Sequence, residues 1–163
     1  MKYINLLIIT LLFVACSTNE TGIYKKSTEV VNKVEGKIPA PWKNISTEGS
    51  DFALKNEKTK SIFLFNSACR KFEASNLNTL TSSILTGLED LKFIEKKNSF
   101  YQEREAAEVL ASGKLDGVLR FFKIITVQKN SCIYDYVLIS TTLKNIESDT
   151  PALKDFLQGI ILK

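Results

Sequence analysis

There is no histidine among the 163 residues. Imidazole acid–base work, histidine-assisted serine and cysteine nucleophiles, and histidine zinc ligands are therefore excluded. Glycine occurs seven times and is scattered, so no glycine-rich loop cradles a phosphate. Charge of one sign is not concentrated: 22 Lys and Arg against 18 Asp and Glu leave +4. No basic stretch is interleaved with aromatics, which argues against a nucleic-acid partner. No internal repeat or low-complexity tract is visible, and no motif calls for a cofactor or a metal. Long apolar runs are absent after the first residues, and the one at the start, Ile4 to Val14, is broken by Asn5 and Thr10. It falls short of the roughly 20 residues that a spanning helix needs.

That first segment carries the clearest signal in the chain. Met1-Lys2-Tyr3 is a short positive start, the apolar run follows, and Ala15-Cys16 sets a small residue before a thiol, the layout of a signal peptide. Leu12-Phe13-Val14-Ala15-Cys16 resembles the lipobox of bacterial lipoproteins. In that family the cysteine is diacylated, the preceding peptide is removed, and the cysteine becomes the lipidated N-terminus. Phe13 departs from the pattern, which usually has leucine there. The resemblance implies a cell-envelope protein held to the membrane through lipid on Cys16. Ser17, in place of aspartate after the cysteine, implies the outer membrane if the source is a double-membrane bacterium. The plainer alternatives are an ordinary secretory peptide or an uncleaved anchor.

Three regions follow: a signal peptide over 1–15, a lipidated start and tether over 16–41, and one globular domain over 42–163. Losing Lys2 with the signal peptide lowers the charge to +3, and the remaining 148 residues suffice for one substantial core. The tether is polar, with Gly22, Gly36, Pro39 and Pro41, and the span from Glu29 to Glu35 is too short for a stable isolated helix. Lys25-Lys26 beside the anchor are solvated linker charges or meet anionic headgroups, at about 1 kcal/mol per charge. Trp42 reads as the aromatic that docks the chain onto the folded body.

Within the body, Phe52-Leu54 and Ile62 to Phe65 predict paired strands over 51–56 and 60–66. Leu77, Leu80, Ile84, Leu88 and Leu91 recur at helical spacing, capped by Ser75 or Asn76 and weakened near the end by Gly87. Strands follow over 92–101 and 104–115, the second despite good helix formers, because it runs into Asp116-Gly117. That dipeptide suits a two-residue hairpin whose central residues need positive φ. Val118 to Gln128 is the partner strand, and a turn at Lys129-Asn130 leads into Cys132 to Thr141. Val118, Phe122 and Ile124 alternate with Leu119, Phe121, Ile125 and Val127, so this strand has both faces covered. Thr150-Pro151 predicts a final helix, with Pro151 at its first position and a buried stripe of Leu153, Phe156, Leu157 and Ile160.

The expected order is therefore β-β-α-β-β-β-β-α, an α+β domain with a central antiparallel sheet of about six strands and two amphipathic helices. From Trp42 to Leu162 this order resembles the PsbP-like sandwich of photosystem accessory proteins and related exported bacterial proteins. Asn66-Ser67-Ala68-Cys69 and Ser131-Cys132-Ile133-Tyr134-Asp135 are also similar to segments of uncharacterised small bacterial lipoproteins. A resemblance of fold implies no activity.

The remaining chemistry is sparse. Cys69 beside Arg70 and Lys71 could carry an acidified thiol, but an exported chain favours a core cysteine or a disulfide to Cys132. Glu103 and Glu105 would share a strand face, as glycosidic acid–base work requires, or simply be solvated. Asp135 shares a face with Ile133, Val137 and Ile139, where an apolar residue is expected. It is either a satisfied carboxylate bonded to Arg104, Arg120 or a backbone amide, or part of a ligand site. The function expected is a non-enzymatic, membrane-anchored accessory or binding domain of the envelope, with an unidentified envelope protein as its partner. A small-ligand carrier and a carboxylate hydrolase are the alternatives.

Overall fold

The computed structural model describes residues 38, 40–69 and 76–159. The lipobox with Cys16, Lys25-Lys26, the span from Glu29 to Glu35, Ser75 and Ile160 lie outside the described residues, as does the side chain of Leu157. The elements in chain order are β1 (Trp42–Asn44), β2 (Phe52–Asn56), β3 (Ile62–Cys69), α1 (Leu77–Ser83), β4 (Glu89–Tyr101), β5 (Arg104–Leu115), β6 (Val118–Lys129), β7 (Cys132–Ser140) and α2 (Leu143–Gly159). All seven strands form one antiparallel sheet in the order β1-β2-β3-β7-β6-β5-β4. Two meanders thus meet at the β3–β7 seam. The fold class is the expected α+β, with one strand more than anticipated.

That extra strand is β1. Trp42 is buried and meets Phe156 of α2 edge-on, with ring centroids 5.4 Å apart. It is a packing anchor, and its neighbours Lys43 and Asn44 are drawn into pairing with β2. Such a three-residue strand has no periodicity of its own to reveal it.

The sheet buries a different cluster on each face. On one, α1 covers β5 and β6, and Val109, Ala111, Phe122, Ile124 and Val137 pack with Leu85. On the other, α2 lies over β7 and β6, and Phe63, Phe65, Tyr134, Tyr136, Ile125 and Val127 pack with Ile146 and Leu153. Each fully buried large side chain contributes about 1.5–3 kcal/mol through apolar burial. The alternation in β6 sorts as anticipated from Phe121 onward, with Phe122 and Ile124 toward α1, and Phe121, Ile125 and Val127 toward α2. Val118 and Leu119 at its start lie beyond both helices and stay about half-exposed, so the strand is not covered along its whole length.

Both helices differ from their expected extents. Asn76 caps α1, its side-chain oxygen accepting from the Asn78 amide at 2.8 Å. The helix stops at Ser83, and Gly87 takes φ +93, a conformation that L residues avoid. As a result Leu85 is buried in place of Ile84, and β4 begins three residues earlier than expected. Leu88 then lies against Gly113, where a Cβ would meet it at 3.1 Å. Helix α2 starts at Leu143, not Thr150, and carries Pro151 inside it. Thr142 caps it, its hydroxyl accepting from the Asn145 amide at 3.2 Å. The Thr150 hydroxyl bonds back to the Ile146 carbonyl at 2.6 Å, and burial of Ile146 and Leu153 on one stripe outweighs the amide that proline lacks.

The Asp116-Gly117 hairpin has the anticipated form, with φ 51 and 73. The next turn is one residue later than expected: Asn130 and Ser131 carry the positive φ values, 51 and 63. Among the described residues no helix is long and apolar enough to cross a membrane.

Candidate functional site

Helix α1 is only seven residues long and leaves the β4–β5 hairpin end of its face open. There an open cleft of about 490 Å³ lies between the start of α1 and strands β4, β5 and β6. Asn76 and Asn78 come from the helix start, Asn98 and Phe100 from β4, Glu105 from β5 and Gln128 from β6. Asn98 and Phe100 share a face because they are two apart on a strand. Glu105 stands directly across from Phe100, and the small Ala107 directly across from Asn98. The Asn78 side-chain Nδ2 donates to the Asn98 side-chain Oδ1 at 2.9 Å. Phe100 is 77% exposed. Among the described lining residues one carboxylate, Glu105, carries the only charge.

Asp135 belongs to the same face, further into the sheet. One row of register partners crosses five strands: Asn66, Asp135, Thr126, Ala107 and Asn98. The expected arginine partners are not there. The Thr126 hydroxyl donates to Asp135 at 2.8 Å. Arg104 stands on the opposite face, in step with Ala106 and Glu108. Arg120 shares the face but lies six residues along β6 from Thr126, roughly 20 Å at strand rise. A hydroxyl bond does not neutralise a carboxylate. Burial therefore pushes Asp135 up to about 6, only partly opposed by Thr126.

A pH dependence of stability follows. The unfolded chain releases this proton near 3.8 and the folded chain near 6. Between those values the folded state holds a proton that the unfolded state has lost, so stability falls as pH rises through the window. The full effect is about 3 kcal/mol. Asp135→Asn keeps an acceptor for Thr126 and no charge, so it is expected to remove the slope and to exceed the parent by about 1–3 kcal/mol near pH 7. Urea melts across the window check this, and an unchanged slope in the variant would contradict it.

Glu103 and Glu105 do not form a strand-face pair. Glu103 is in the β4–β5 turn at φ 62, and Glu105 is the one carboxylate among the described residues of the cleft. The other face holds an ion pair that no sequence spacing marks: Lys123 meets Glu108 at 2.9 Å, with both side chains mostly buried. Burial opposes the Glu108 charge, but bonds to Lys123 and Ser99 and the nearby Lys97 together hold its carboxyl below the usual range. The hydroxyls of Tyr101 and Tyr136 are buried without a hydrogen-bond partner among the described residues, and burial pushes Tyr101 up to about 12.

Cys69 ends β3 opposite Cys132 at the start of β7, and the two form a disulfide with Cα atoms 4.0 Å apart. Also unforeseen is Asp149 on α2. It is buried and accepts from Asn56 at 3.0 Å and from Thr59 at 2.6 Å, while Asn145 donates to the Thr59 carbonyl. This clamp ties α2 to the β2–β3 hairpin. A second concavity of about 460 Å³ is formed by the loop from Asn44 to Ala53. Of its polar groups, Thr47 bonds with Ser50 and Asp51 accepts from Ser67. Among the described residues no group of three or more side chains could hold a metal ion.

No protein-family model and no curated protein matches the chain. Solved structures do. Cyanobacterial PsbP (CyanoP) from Synechocystis sp. PCC 6803 is similar at 8% identity and a TM-score of 0.56, covering 77% of this chain and 84% of that one. PA94, a protein of unknown function from Pseudomonas aeruginosa, is similar at 10% identity and 0.54, covering 75% and 81%. At these identities the likeness is one of fold, and the domain shares the PsbP-like architecture.

Proposed function

We propose that the chain is a lipid-anchored binding domain of the cell envelope that performs no catalysis. The observation that carries this reading is the Leu12-Phe13-Val14-Ala15-Cys16 signature, which gives the chain a signal peptide and an acylation site. The Cys69–Cys132 disulfide supports it, because such bonds persist in oxidising compartments. The cleft supports the binding role, since it combines amide donors and acceptors with an exposed ring. Among the described lining residues Glu105 is the one charged group.

A small-ligand carrier is the second reading, favoured by that same cleft. It differs from the first in what is bound and leaves the anchor unchanged.

Cys16→Ser is expected to abolish incorporation of labelled palmitate and to leave the protein soluble or held only by its signal peptide. The reason is that several acyl chains hold firmly, at about 0.8 kcal/mol per buried methylene, while none remain in the variant. Equal labelling of the variant and the parent would end the lipid-anchor proposal.

A further inference from the structure

We propose that the cleft between α1 and strands β4–β6 is a binding site for a neutral oligosaccharide. The proposal rests on the reading of the chain as a binding domain and names the chemistry that it takes. Its volume of about 490 Å³ falls among ordinary ligand sites, roughly 300–1,000 Å³.

The lining is dominated by amides. Asn76, Asn78, Asn98 and Gln128 each carry a donor and an acceptor side by side, the pattern that matches neighbouring sugar hydroxyls. The bond between Asn78 and Asn98 holds both side chains in place. Groups held in advance lose less entropy when a ligand arrives.

Charge and shape narrow the class. Glu105 accepts hydrogen bonds from hydroxyls but repels an anion, and no lysine or arginine is among the described lining residues to neutralise a phosphate or carboxylate. A fully apolar ligand would strip water from the amides without replacing their hydrogen bonds. Phe100 supplies what those polar groups lack. Its ring is 77% exposed and opposite Glu105, so a sugar can lay the C–H face of its ring on the aromatic while its hydroxyls reach the carboxylate and amides.

The test is calorimetric titration of the full chain with chitotetraose and cellotetraose. Saturable binding of at least one is expected, in the micromolar to millimolar range, roughly. Phe100→Ala removes an exposed ring, so the variant stays folded, and it should weaken binding by about tenfold or more. Phe93→Ala, on the same strand but outside the cleft, should leave affinity unchanged. Absence of binding by both sugars at millimolar concentration, or binding that Phe100→Ala leaves intact, would overturn the assignment. The titration is independent of lipidation. A chain that binds sugar but takes up no palmitate keeps this site and loses the anchor, whereas a lipidated chain that binds neither sugar does the reverse.

Discussion

Replacing Cys69 and Cys132 together with alanine is expected to destabilise the domain by about 4 kcal/mol, lowering its melting temperature by roughly 15 °C. The two cysteines are 63 positions apart, and the bond closes the loop containing α1, β4, β5 and β6. More important is where it lies. Every other neighbouring pair of strands in the sheet is joined by a short local connection, whereas β3 and β7 meet only after most of the body has been made. The seam is therefore the pairing with the largest loop-closure cost, and a crosslink across it removes that cost from the unfolded ensemble. Denaturant melts of the parent with and without reductant, beside the double variant, check this. A parent equally stable in reductant, with its thiols shown to be free, would contradict it.

Asp149→Ala should be nearly as damaging, by about 2–5 kcal/mol. Buried Asn56 and half-buried Thr59 would each lose the acceptor that satisfies them, and an unsatisfied buried donor costs about 1–3 kcal/mol. The damage should be felt by α2 as a whole, because Asp149 and Asn145 together hold it to the β2–β3 hairpin. Amide hydrogen exchange is therefore expected to accelerate throughout 143–156, in addition to the lower midpoint in urea. A loss below about 0.5 kcal/mol, the range of ordinary surface changes, would show that the clamp contributes little.

What the sequence made legible depended on how local the physics was. Asp116-Gly117 announced its hairpin because the turn's positive φ values suit those two residues and few others. Asn130-Ser131 adopts similar dihedral signs without a glycine, and the signal was weak enough to displace the turn by one residue. Helix α2 was shortened because proline in an interior is costly. Ile146 and Leu153 flank that proline on one buried stripe, and packing outweighed propensity. Asp149 then fell before the expected helix, and its clamp was lost with it.

Asp135 stands out in the sequence as a carboxylate at an apolar position of its strand. Its partner was not legible, because strand register places Thr126 beside it and sends Arg104 to the other face. The cleft was least visible of all. Its amides come from the start of α1, β4 and β6, and isolated asparagines in a sequence carry no spacing that marks them as a site. Phe100 read as one more strand aromatic, and only the fold leaves it uncovered.

The central claim, a lipid-anchored domain in an oxidising envelope, is tested most directly by intact mass spectrometry of the protein extracted from cell membranes without reductant. The expected mass is that of a chain beginning at diacylated Cys16 and two hydrogens lighter for the Cys69–Cys132 bond. A chain that retains Met1, or one that begins at Cys16 without lipid and has three alkylatable thiols, would contradict it.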